Sequence, residues 1–164
     1  MINKNQLTER SFTPSQLSGF DGTHSIQLPV DFIHDLSKAD SLQAVLDTIA
    51  YWISHVFDAD RASITLQDTE EYLKLYSISG NHAIPMDFKI PIGQTFVGRV
   101  FAQSQLIICD DLAQSDELDC KMLSEHGMGT CMDAPMIHNG MCIGTLNVAD
   151  QRKHHYTLQQ AILL

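Results

Sequence analysis

Residues 130–150 constrain this chain more than any other stretch: TCMDAPMIHNGMCIGTLNVAD. It reads as two strands joined at Asn139-Gly140, because a two-residue type I′ turn needs positive φ at both positions, and Asn and Gly tolerate it. That turn pairs His138 with Met141. Unbroken alternation then puts Cys131, Asp133, Pro135, Ile137, Cys142, Gly144, Leu146 and Val148 on one face. Thr130, Met132, Ala134, Met136, Ile143, Thr145, Asn147 and Ala149 take the other. Both faces are mainly apolar or small, so both should be covered, one by helices and the other by a pocket. Asp133 is out of place, a carboxylate in mid-strand with no wet face to turn to.

The remaining chain supplies elements to cover that hairpin. Its 164 residues suffice for one domain and a tail. Residues 1–28 are polar without a sustained period and read as a flexible tail, leaving 29–164 as the domain. Pro29 suits the first turn of a helix. Asp40 or Ser41 can cap a second, in which Leu42, Val45, Leu46, Ile49, Ile53, Val56 and Phe57 form one stripe. From Arg61 the period becomes two: Ala62, Ile64 and Leu66 alternate with Ser63, Thr65 and Gln67. Residues 72–79 alternate again, and Met86, Phe88 and Ile90 suggest a third strand. Phe96, Val97, Val100 and Phe101 recur at helical spacing around Gly98, and 106–109 is a short buried strand. Residues 115–126 read as a helix capped by Ser115, and Thr157 can cap a last helix that runs to Leu164. An apolar helix stopping in mid-period suggests one module of a longer protein.

Charge narrows the partners. A formal net charge of -10 disfavours nucleic acid and anionic membrane, which need a concentrated positive surface. No apolar run approaches the ~20 residues of a membrane span, and the first residues lack a signal-peptide core, so the expected compartment is the cytoplasm. The four cysteines, at 109, 120, 131 and 142, are each eleven residues from the next. They fall in different elements without a Cys-x-x-Cys pair, so the spacing reads as chance and the thiols as reduced and mostly buried.

With these elements in order, four stretches carry a resemblance to the GAF domain family: IPIGQTFVGRV at 90–100, QLIICDD at 105–111, GTCMDAPM at 129–136 and GMCIGTLN at 140–147. The resemblance implies an α+β fold, an antiparallel sheet of five to six strands. The terminal helices would lie on one face, and residues 96–129 would roof a ligand pocket on the other. It also implies a sensory or regulatory module that binds a small molecule, dimerises through residues 40–57 and 157–164, and relays to a fused output domain; this segment would not itself be an enzyme. The residues expected to touch the ligand are Asp133, Cys131, Phe96, Asp110, Cys120 and Met128.

The ligand is open. Cyclic-nucleotide GAF domains carry an Asn-Lys…Phe…Asp-Glu pattern, where this chain has Asp150-Gln151, Tyr156 and Gln159-Gln160. Bilin-binding members carry Cys-His, where this chain has Cys120-Lys121. GAF-type free methionine-sulfoxide reductases need an exposed reactive cysteine and a resolving partner; Cys109, Cys120 and Cys131 are the candidates, without the family's local sequence. A structural dimerisation module without a ligand is the competing class. For Asp133 the readings are a pocket acceptor, a partner of Arg61 or Arg99, or a wet sheet end. Asp110, Asp111, Asp116, Glu117 and Asp119 read as a solvated acidic rim before a hard-metal site, and His154-His155 as a solvated pair.

Overall fold

The computed structural model describes residues 8–18 and 28–164. A seven-stranded antiparallel sheet runs in the order β1-β5-β6-β7-β2-β3-β4. The strands are β1 (Glu9–Phe12), β2 (Arg61–Gln67), β3 (Tyr72–Gly80), β4 (Lys89–Pro91), β5 (Leu106–Cys109), β6 (Thr130–His138) and β7 (Met141–Asp150). The helices are α1 (Pro14–Ser18), α2 (Val30–Lys38), α3 (Leu42–Val56), α4 (Phe96–Gln103), α5 (Leu118–Glu125) and α6 (Leu158–Leu163).

The α+β architecture expected from sequence holds, with more strands than expected. The additional strand, β1, lies within residues 1–28, the segment read as a tail. Glu9 to Phe12 pair antiparallel with Cys109 to Leu106. Four residues show no detectable alternation. What secures the strand is ionic: Arg10 donates to both Asp110 oxygens, at 2.9 and 2.6 Å. Residues 1–7 and 19–27 of that tail lie outside the described residues.

The caps follow the sequence reading. Ser41 Oγ accepts from the Ala44 amide at the start of α3, and Thr157 with Gln160 forms a capping box on α6. The third strand is shorter than expected, because Phe88 N donates to Pro85 O in a turn and the ladder begins at Lys89. The helix expected over 115–126 begins only at Leu118, because Ser115 Oγ accepts from Glu117 N in a preceding turn.

Each face of the sheet is covered. Against the terminal helices, Phe57, Ala62, Leu106, Ile108, Met132, Ala134, Val148, Tyr156 and Ala161 form one apolar cluster, beside a smaller one of Leu46, Ala50 and Ile64. On the other face, residues 83–84, α4 and α5 cover Leu73, Leu75, Ile107, Cys109, Cys131 and Ala149. Trp52 Nε1 donates to Asp35 Oδ2 at 3.0 Å and ties α2 to α3.

The β6–β7 hairpin turns where expected. Asn139 and Gly140 have φ of 50° and 77°, and His138 faces Met141. The faces differ, however. Ile137 pairs with Cys142 and Met136 with Gly144, so Ile143 is an extra residue. Beyond that bulge the alternation of β7 is inverted. Asp133 therefore sits opposite Asn147 and Cys131 opposite Ala149, where unbroken alternation grouped both with Leu146 and Val148.

Candidate functional site

The central strands build a polar floor under the α4–α5 roof. Arg61, Ser63 and Thr65 point to one side of β2 by simple alternation. Cross-strand register brings Ser63 beside Asn147 and Thr65 beside Thr145. Thr65 and Thr145 share a buried hydroxyl hydrogen bond of 2.6 Å, and Asn147 Nδ2 donates to Ser63 Oγ at 3.3 Å. Asp133 and Cys131 extend this floor onto β6. Leu75, Ile84, Ile90, Val97 and Leu123 complete an apolar rim, and Asp119 reaches in from α5. The cavity so enclosed has room for about 30 Å³. That accommodates one or two water-sized groups, and is far below the ~300–1,000 Å³ of pockets that engulf drug-sized ligands.

Three charged side chains meet there. Arg61, only 3% exposed, donates Nη1 to the Asn81 carbonyl and Nη2 to the Ile84 carbonyl, holding the loop before β4 over the sheet. Burial lowers its pKa to about 10 against the opposing pull of Asp133. Asp119, 3% exposed, accepts from the amides of Phe96, Val97 and Cys120 at 2.8, 2.9 and 3.0 Å. It thereby closes the N-terminus of α4 together with Thr95, whose Oγ1 accepts from Gly98 N. Gly98 permits this packing, since a Cβ there would collide with the Ile92 backbone. Burial still raises the Asp119 pKa despite these amides. Asp133 is 5% exposed and accepts no hydrogen bond from any described residue. Burial and then Asp119 push its carboxyl well above the usual range; Arg61 only partly opposes them. Beside it, Asn147 Oδ1 is a second buried acceptor with no donor among the described residues.

The other expected site residues are distributed differently. Asp133 and Cys131 line the cavity. Phe96, Cys120 and Met128 are packed into the roof-side core, with the Arg99 guanidinium over the Phe96 ring at 5.2 Å. Asp110 lies off the cavity, bound by Arg10. The expected acidic rim is not a single solvated patch: Asp116 is exposed, Asp111 pairs with Lys153 at 3.0 Å, Glu117 pairs with Arg99 at 2.9 Å, and Asp119 is buried. Ligating atoms of Glu117, Asp119 and Cys120 lie within 4.8 Å of one another, but Arg99 and three amides already engage the two carboxylates. Arg99 is committed to Glu9 and Glu117, so of the two cations considered for Asp133, Arg61 is the one that faces it.

Three of the four evenly spaced cysteines converge, although their spacing read as chance. Cys109 and Cys131 are register partners on β5 and β6, and the Cys120 thiol on α5 is close enough to couple with the ionisation of both. They meet in the core, not at a pocket mouth. The neighbouring Cys120 thiol raises the Cys109 pKa, with burial adding to it. Burial raises that of Cys131. At Cys120 the Cys109 thiol favours the thiolate, but the Cys131 thiol and burial outweigh it. The thiols are held as thiols.

Ser63 and Asn147 were not assigned from sequence, and Arg61 entered there only as one of two cations considered for Asp133. Alternation placed the β2 pair together, but the bulge at Ile143 hid Asn147. A polar floor on a central antiparallel sheet, roofed by short helices, now stands beside a match of the GAF domain family to residues 41–164. The chain belongs to the GAF domain family. The sequence resemblance is thereby borne out.

Solved structures agree on the fold. A GAF domain from a phosphoenolpyruvate-protein phosphotransferase of Coxiella burnetii superposes with a TM-score of 0.69 at 18% identity, covering 81% of this chain and 82% of that one. The free methionine-R-sulfoxide reductase of Neisseria meningitidis, solved with its substrate, gives 0.67 at 19%, covering 80% and 77%. The chromophore-binding domain of a bacteriophytochrome from R. palustris gives 0.60 at 14%, covering 80% and 55%. Such identities establish the shared fold alone. No curated protein matches the chain in sequence. GAF domains are often sensory or regulatory. None of the helices among the described residues is long and apolar enough to cross a membrane.

Proposed function

We propose that this GAF domain is a cytoplasmic sensory module that binds a small molecule between the sheet and the α4–α5 roof and relays the change through α3 and α6 to a fused output domain. One observation carries the reading: the Asp133 carboxylate is buried at the cavity without a hydrogen-bond donor among the described residues. Such a group costs the fold stability, and a ligand that supplies a donor recovers it. Binding would shift the population toward a closed roof, because Asp119 couples α5 to the start of α4 and Arg61 couples the 81–84 loop to the sheet. Partner recognition on the helical side has apolar material available: Val30, Ile33, Leu42 and Tyr51 are exposed on α2 and α3. That supports a homodimer, and the acidic charge argues against nucleic acid and membrane as partners.

The small cavity favours a second reading, a GAF module that serves only dimerisation. Catalysis by the cysteines has less support, because their buried thiols resist ionisation. Native mass spectrometry of the purified protein separates the readings. A retained small molecule, weakened by Asp133→Asn in a domain that stays folded, supports sensing. Only a bare dimer, with no metabolite fraction raising its melting temperature, supports the structural module. Turnover of free methionine sulfoxide would overturn the assignment as a non-enzyme.

A further inference from the structure

The cavity says what kind of group its ligand presents. One guanidinium faces two carboxylates, so the enclosure carries an excess of negative charge when all three are ionised. Asp119 has amides on both oxygens and needs no further donor. Among the described residues Asp133 has none, and Asn147 Oδ1, its cross-strand neighbour on the same face, has none either. Two buried acceptors on adjacent strands ask for a group that donates more than one hydrogen bond and carries positive charge.

We infer that the cavity receives the ammonium group of an aliphatic primary amine, with Asp133 as its counter-ion and Asn147 Oδ1 as a second acceptor. The inference rests on the small-molecule reading of this site and names the chemistry of its ligand. Space agrees with it: about 30 Å³ holds an ammonium on a short stem and excludes a planar base or a tetrapyrrole in this conformation. Leu75, Ile84, Ile90, Val97 and Leu123 offer an apolar lining for the alkyl stem. A divalent cation is disfavoured, since the amides that hold Asp119 leave Asp133 as the one free carboxylate lining the cavity. An anion would meet two carboxylates, while both terminal nitrogens of Arg61 already serve carbonyls. Protonation of Asp133 would remove the charge and supply one O–H donor, which would serve Asn147 Oδ1 while the other carboxyl oxygen of Asp133 stays without a donor.

The carboxyl must give up its proton to pair with the amine. The groups that bear on that proton are Arg61 on β2, Asp119 and Glu117 on α5, Cys131 and Asn147 across the floor, and Tyr156 beyond the sheet. Affinity for an ammonium probe therefore rises with pH.

Amide chemical shifts of the full chain, titrated with methylammonium and ethylammonium chloride against sodium chloride of equal ionic strength, test this. Saturable shifts at Asp133 and Asn147 in the millimolar range are expected for a ligand of two or three heavy atoms. Tetramethylammonium, which carries the charge without N–H donors, should leave them unchanged. Asp133→Asn should weaken binding tenfold or more, whereas Asp116→Asn, the same charge change at an exposed site, should keep it within twofold. No saturable response, or equal affinity in Asp133→Asn, overturns the inference. A neutral or anionic molecule retained in the native mass spectrum overturns it while leaving the sensory reading standing. A protein that retains no molecule and responds to no amine or metabolite loses both.

Discussion

Asp133 and Asp119 share a cavity and have opposite solutions to burial. Asp119 is solvated by three main-chain amides and works as the structural acid that joins α5 to α4. Among the described residues Asp133 has only a cation across the cavity, itself anchored to the 81–84 loop. Its folded pKa lies above its unfolded value near 4. The native state thus binds a proton the unfolded chain has released, and the stability from that proton is present below the unfolded pKa and lost as pH rises through the folded one. Asp133→Asn removes this loss. The ligand-free variant should be more stable than wild type at neutral pH by about 1–3 kcal/mol, with the gap closing as pH falls toward 4. Urea melts across that range check it. A gap that widens on acidification would contradict the assigned direction.

At the scale of elements, one residue in β7 decides which side chains meet. Ile143 is the bulge, and it turns Asn147 and Ala149 toward Asp133 and Cys131 while sending Val148 to the helical face. Deleting Ile143 joins Cys142 to Gly144 and leaves the pairs Ile137–Cys142, Met136–Gly144 and Asp133–Asn147 in a regular ladder. The deletion variant should therefore keep the cooperative transition seen in near-UV circular dichroism, and Ile143→Ala, at a half-exposed position, should melt within about 1 kcal/mol of wild type. Loss of the transition in the deletion variant would show that the bulge does more than set the register.

Across the whole molecule, β1 completes a sheet whose far edge would otherwise end at β5, a strand buried along its length. It is held by charges from several elements: Arg10 binds Asp110 and the Tyr156 carbonyl, and Glu9 binds Arg99. These contacts link the N-terminal strand to the connection before α6 and to α4 of the roof. Arg10→Ala should destabilise the domain by about 1–2 kcal/mol, because Asp110 is left nearly buried without its cation. Hydrogen exchange should show faster amides on β1 first. Removing residues 1–13 should go further and expose the Leu106–Cys109 edge to intermolecular pairing, seen as concentration-dependent aggregation; a monodisperse truncated protein at unchanged stability would show that β1 is dispensable.

Local chemistry alone settled much of this protein. Positive φ demanded Asn139-Gly140 at the turn, helical periodicity exposed α3, hydroxyl caps marked α3 and α6, and the order of the elements, with its short motifs, pointed to the GAF family. Asp133 stood out because a mid-strand carboxylate is expensive wherever both faces are covered. The contents of its surroundings needed three dimensions. A bulge adds no composition signal, so the reversal that brings Asn147 beside Asp133 was invisible in the string. Strand β1 is too short for a period and depends on partners such as Asp110 one hundred residues away. That Cys109, Cys120 and Cys131 meet became visible only when β5, β6 and α5 folded onto one another. Sequence pattern reports each residue's preference for water or core, while pairing register and long-range charge determine which preferences can be met together.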